Sequence, residues 1–139
     1  MRRGTFISLP QTLETIEPNY MFFQFLTSAK RTMTDEITTS RREIARIASE
    51  ILAGSTSAIM GARQINALRF GAEIENDPDI TPFVAVDSET DALPVDPKIR
   101  KLWSPEALER LQGEIDRAET WAAGILAQRC KRLISRFGE

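Results

Sequence analysis

Asp87, Glu89 and Asp91 stand at alternate positions in the stretch VDSETDALPV (86–95), which closes on Leu93 and Pro94. Carboxylates at that spacing match the first, third and fifth ligands of a calcium-binding loop. Such a loop also needs glycine at its sixth position and a bidentate glutamate at its twelfth. Ala92 and Lys98 occupy those positions, so the calcium reading fails. A magnesium-dependent nucleotide hydrolase built as a helical bundle needs paired ExxE and ExxD motifs on facing helices. Glu106 and Glu109 form one ExxE, but no ExxD follows it. Glu73, Glu75, Asp77 and Asp79 could cluster, yet their spacing fits a solvated turn equally well.

The chain has no histidine, which removes the commonest general base and the commonest zinc ligand together. Ser88 or Cys130 as a nucleophile therefore lacks its usual base. Cys130 falls on an apolar helical stripe and reads as a small buried hydrophobe. No catalytic residue, metal ligand set or cofactor emerges. A metal-assisted hydrolase using the acidic carboxylates stands only as the second reading.

Basic residues gather in three places: Arg41, Arg42 and Arg46; Lys98, Arg100 and Lys101 before Trp103; and Arg129, Lys131, Arg132 and Arg136 at the end. Cations beside an aromatic can hold phosphates. Cations in a last helical turn also complement the helix dipole, which accounts for the third group. A net charge of −2 and a pI near 5.3 argue against nucleic acid as the partner.

What must position these residues is one domain's worth of chain. At 139 residues, with 42% hydrophobic and 27% charged residues, the composition is that of a globular protein with a single core. The lone cysteine excludes an internal disulfide framework and suits a reducing, cytoplasmic setting. The apolar run around YMFFQFL is far short of the ~20 residues that a membrane span needs. Glu14 and Glu17 interrupt the stretch where a signal peptide would be apolar. No membrane partner is expected.

Residues 1–32 differ from the rest. They hold four of the seven Phe and the only Tyr, and carry +2, leaving −4 for the remainder. Met33 then opens MTDEITTSRREIARIASEIL, which reads as a fresh start. Residues 1–32 are expected to be a poorly ordered extension, or an over-long start, and 33–139 the folded unit. The competing reading is a helix from Asn19 laying Phe22, Phe23 and Leu26 on the core.

From Met33 the pattern is helical. Thr34 or Asp35 offers a cap to a helix with Ile37, Ile44, Ile47, Ala48, Ile51 and Leu52 at the 3.6-residue period. Gly54, Ser55 and Ser57 break it, and a second helix carries Ala58, Ala62, Ile65, Leu68 and Ala72. Gly61 and Ala62 leave room for close approach, so the pair reads as an αα-hairpin. NDPDITP (76–82) is turn chemistry. FVAV would be a lone strand without a ladder partner, so 82–88 is taken as a short helix with Pro82 in its first turn. Last comes a long helix with Ser104 as cap and Pro105 at its first position. Its seam runs Leu108, Leu111, Ile115, Ala118, Ala122 and Ile125, and continues one register over through Leu126, Cys130, Leu133 and Phe137. Gly124 is a candidate bend. The expected class is all-α: a compact bundle of three to four helices with an αα-hairpin and a long C-terminal helix.

GAR (61–63), FVAVDSETDALPV (83–95) and WSPEALER (103–110) followed by Glu114 and Glu119 are similar to a group of small bacterial helical proteins of unknown function. D-S-E-T-D-x-L-P is the best marker. The resemblance covers roughly Ile44 to Phe137, leaves out the residues before Met33, and implies a small helical protein with no activity, cofactor or catalytic residue attached.

The remaining expectation concerns the acidic stretch. Its carboxylates are read as structural, accepting backbone N–H groups and pairing with Arg63 or Arg69. The same loop, Asp87, Glu89 and Asp91 with Asp77 and Asp79 near it, is also the surface most suited to a partner. The functional expectation is a non-enzymatic protein-interaction module, of the immunity or regulatory kind, for a basic protein partner.

Overall fold

The computed structural model describes residues 32–138. The expectations placed on residues 1–31, including the alternative helix from Asn19, lie outside the described residues. Backbone contacts divide the chain into Met1–Glu36 and Ile37–Glu139, and the second unit holds the core and every site discussed below.

The backbone is helical over 32–53 (α1), Ala58–Leu68 (α2), Thr81–Thr90 (α3), Pro97–Arg100 (α4) and Pro105–Phe137 (α5). No strand occurs among the described residues. The all-α bundle and its long last helix are as expected, with the single turn α4 added. Thr34 and Asp35 lie inside helical backbone rather than capping it. FVAV is helical, Pro82 sits in the first turn of α3, and that helix runs on to Thr90.

Each boundary has a local cause. At the end of α1 the Ser55 N–H donates to Glu50 O and the Gly54 N–H to Ile51 O, both at 3.1 Å. This is a Schellman cap with Gly54 at φ +79°, where a side chain would be strained. Ser57 then caps α2 by accepting from the Met60 N–H. Glu119 of α5 supports the same helix start: it accepts from Ser57 Oγ and, at 3.2 Å, from the Ile59 N–H. The chain beyond α2 closes a second Schellman turn, Ile74 N–H to Arg69 O and Glu73 N–H to Phe70 O at 3.0 Å each. Glu73 holds the left-handed position there at φ 55° without being glycine. Ser104 accepts from the Ala107 N–H to start α5, with Pro105 in the first turn.

The core is assembled from one stripe of each long helix: Ile44, Ile47, Ala48 and Ile51 of α1, Ile59, Ala62 and Ile65 of α2, Phe83 and Val86 of α3, and Ala122, Leu126, Cys130 and Leu133 of α5. Ala72, Ile74 and Ile80 add the connection between α2 and α3. The buried line of α5 differs from the expected seam. It passes through Ile115, Ala122 and Leu126, and Ile125 is left 40% exposed beside Trp121. No residue of α5 before Ile115 is buried.

Two of the glycines noted in the sequence, Gly61 and Gly124, have opposite roles. A Cβ at Gly61 would meet Ile51 at 2.5 Å from Cδ1 and 2.6 Å from Cγ1, so the hydrogen lets α1 and α2 touch. A Cβ at Gly124 would have nothing within 4 Å, and α5 runs through it as one helix from Pro105 to Phe137. Gly61→Ala should therefore destabilise, overpacking costing about 1–3 kcal/mol against a helix-propensity gain of at most ~1 kcal/mol. Gly124→Ala should stabilise by up to ~1 kcal/mol. Urea unfolding followed by circular dichroism reads both signs, and equal signs would contradict this account.

Candidate functional site

The acidic stretch belongs to the C-terminal half of α3 rather than to a loop. Asp87 and Glu89 are in the helix and Asp91 is its C-cap. Three acids at a helix C-terminus oppose the dipole, and a cation there offsets them. Arg63 of α2 supplies it. One of its terminal nitrogens, Nη2, donates to Thr90 O and, at 3.4 Å, to Leu93 O. Its Nε lies 3.7 Å from Asp87 Oδ1, close enough for an ion pair but too far for a hydrogen bond, and is buried without an acceptor. Asn66 Nδ2 donates to Asp87 Oδ2 at 2.7 Å. Arg69 does not reach the carboxylates: it donates to Asn66 Oδ1 and Asn66 O and stacks on Phe70 at 4.2 Å. Thr90 is buried, and its hydroxyl donates to Val86 O at 2.6 Å.

The Arg63–Asp87 ion pair is as expected, but the rest of the segment is held in a different way. Its carbonyls are gripped by arginines, with Arg100 Nη1 donating to Pro94 O at 3.1 Å after Arg63 has taken Thr90 O and Leu93 O. Its carboxylates do not grip backbone N–H groups. Glu89 and Asp91 are exposed and make no side-chain hydrogen bond or ion pair among the described residues. Of the three acids only Asp87 is engaged.

Asp77 and Asp79 form a separate cluster with the far end of α5. Asp79 is 8% exposed at its side chain. Its two oxygens take Arg129 Nη1 and Arg136 Nη1, each at 2.8 Å, and Arg132 Nη1 stands 3.5 Å away. Asp77 Oδ2 accepts from Arg136 Nη2 at 2.7 Å, while its Oδ1 caps the turn by accepting from the Asp79 N–H at 2.9 Å. Burial alone would raise the Asp79 carboxyl; the Arg136 and Arg129 hydrogen bonds outweigh it and hold the group below its ordinary 3.8. The Arg136 hydrogen bond likewise lowers Asp77. Of the four cations that the sequence assigns to the helix dipole, Arg129 and Arg136 form this clasp with Arg132 at its edge, and the acids they hold are not a free surface.

Among the described residues no three His, Cys, Asp or Glu side chains come together as a metal ligand set. Burial pushes the Cys130 thiol up to about 11, which keeps it protonated and unreactive. A hollow of about 340 Å³ between α1 and α5 is lined by Arg42, Ala45, Arg46, Ser49, Ile134, Phe137 and Gly138. Its serine has no base beside it, and Arg46 is already paired with Glu43 and Glu50. No helix among the described residues is long and apolar enough to cross a membrane. No family model, curated protein or solved structure matches the chain.

Two outcomes follow for stability. Arg63→Met should cost roughly 1.5–3 kcal/mol, since charge-assisted hydrogen bonds to two carbonyls are lost, whereas Glu89→Gln and Asp91→Asn should stay within about 0.5 kcal/mol of wild type. Acid variants as damaging as Arg63→Met in chemical unfolding would show that the carboxylates hold the segment after all. In the clasp, folded-state values below 3.8 mean a contribution that is complete above the unfolded value and is lost as pH falls through the folded one. Asp79→Asn should cost roughly 1.5–3 kcal/mol at neutral pH and flatten the loss of stability below about pH 4, read from melting temperatures across an acid series.

Proposed function

We propose that the chain is a non-enzymatic helical module that binds a protein partner with a basic surface, as immunity-type or regulatory proteins do, through the end of α3. The observation that supports this reading is the contrast between Glu89 and Asp91 and the backbone that carries them. The two carboxylates are exposed and uncommitted. Their backbone is clamped by Arg63, by the buried Thr90 and, further along, by Arg100. Charges on a fixed support lose little freedom on docking, and like-signed charges on one surface speed encounter with a partner of opposite sign. Asp87, half-buried beside Arg63, orients the helix end rather than meeting the partner. A single buried thiol is in keeping with a reducing cytoplasm.

The test is capture of a specific protein by the immobilised full-length chain, repeated with the Glu89→Gln/Asp91→Asn double variant. The variant should keep the wild-type fold and lose most of the captured species, and wild-type capture should weaken as salt is raised. Equal capture by the two proteins at low salt would remove the end of α3 as the docking surface.

A further inference from the structure

Trp121 and Ile125 are 42% and 40% exposed although they occupy the middle of the longest helix. They share a strip with two exposed charges, Glu114 and Arg132. Positions 114, 121, 125 and 132 are separated by seven, four and seven residues. At about 100° per residue the four side chains fall within about 20° of one line, over five turns and roughly 27 Å. The order is acid, apolar, apolar, base, and the spacing is the same read from either end.

That symmetry identifies the occupant. Reversing a second α5 about the level of residue 123 places Trp121 of each copy on Ile125 of the other. The same operation sets Glu114 of each copy opposite Arg132 of the other. A two-fold interface requires this kind of reciprocity, in which residue i meets j and j meets i. A parallel pairing would instead set Glu114 on Glu114 and Arg132 on Arg132. Arg132 is available for the contact: its side chain is 60% exposed and it stands 3.5 Å from Asp79, whose oxygens Arg129 and Arg136 already bind at 2.8 Å. We propose that the chain forms a homodimer through antiparallel pairing of its α5 helices, with Trp121 and Ile125 at the centre and two Glu114–Arg132 ion pairs at the ends. This self-association is independent of the partner-binding reading, which concerns α3.

Sedimentation equilibrium of the full chain tests it. A reversible dimer with a dissociation constant of roughly 1–100 µM is expected, abolished by Trp121→Glu without loss of helical content. Glu114→Arg and Arg132→Glu should each be monomeric alone, because each sets like charges across the interface. Mixed in equal amounts they should form a heterodimer, since every end contact is then of opposite sign. A wild-type chain that stays monomeric up to roughly 1 mM overturns the proposal. So does a dimer that survives Trp121→Glu. Failure of the mixture to associate, with both single variants folded, overturns the antiparallel register.

Discussion

A carboxylate taken out of water must find a cation or lose its charge, and Asp79 is the group on which this constraint falls hardest. It lies in the connection between α2 and α3, where Pro78 and the Asp77 cap set the turn, and its oxygens face α5. Arg129 and Arg136 meet one oxygen each, so the desolvation that would raise the carboxyl is outweighed and the charge is kept. The consequence is mechanical. A turn that would otherwise be a solvated tether is pinned to the last third of α5, directly before the helix that carries Phe83 and Val86 into the core.

The same economy of charge runs through the rest of the unit. Arg63 is spent on the carbonyls that end α3, Arg100 on Pro94, Arg41 on Ala72, and Glu119 on the start of α2. Each of these side chains reaches across elements to satisfy backbone groups that helix ends and turns leave open. Together they explain how short helices joined by turns hold a single geometry. They also sort the ionisable residues. Those that hold the fold are half-buried and matched, whereas Glu89, Asp91 and Glu114 point outward from rigid helices without a partner among the described residues.

Carboxylate chemistry of the catalytic kind asks for the reverse arrangement: acids converging on a recess, with water or metal between them. Among the described residues the acids are dispersed, capped or paired with arginine, and the thiol of Cys130 is sealed in the core.

The sequence by itself determined the helical class, the turn at NDPD, the helix that FVAV belongs to, and the start of α5 at Ser104 and Pro105. These depend on period, caps and proline geometry within a few residues, and local physics is enough to place them. It also marked Gly61 as a point of close approach, because a helix seldom carries a glycine between apolar neighbours without a contact to accommodate. What only the tertiary structure decided were the pairings. Arg129 and Arg136 lie 50 and 57 residues from Asp79, and nothing in local spacing distinguishes a dipole partner from half of a clasp. Arg63 and Arg69 are equivalent in sequence, yet one grips the end of α3 and the other stops at Asn66. Ile125 and Leu126 are adjacent apolar residues, and which one is buried depends on how α5 is rotated against α2 and α3. That rotation is a property of packing, and it is what turns Trp121 and Ile125 toward solvent.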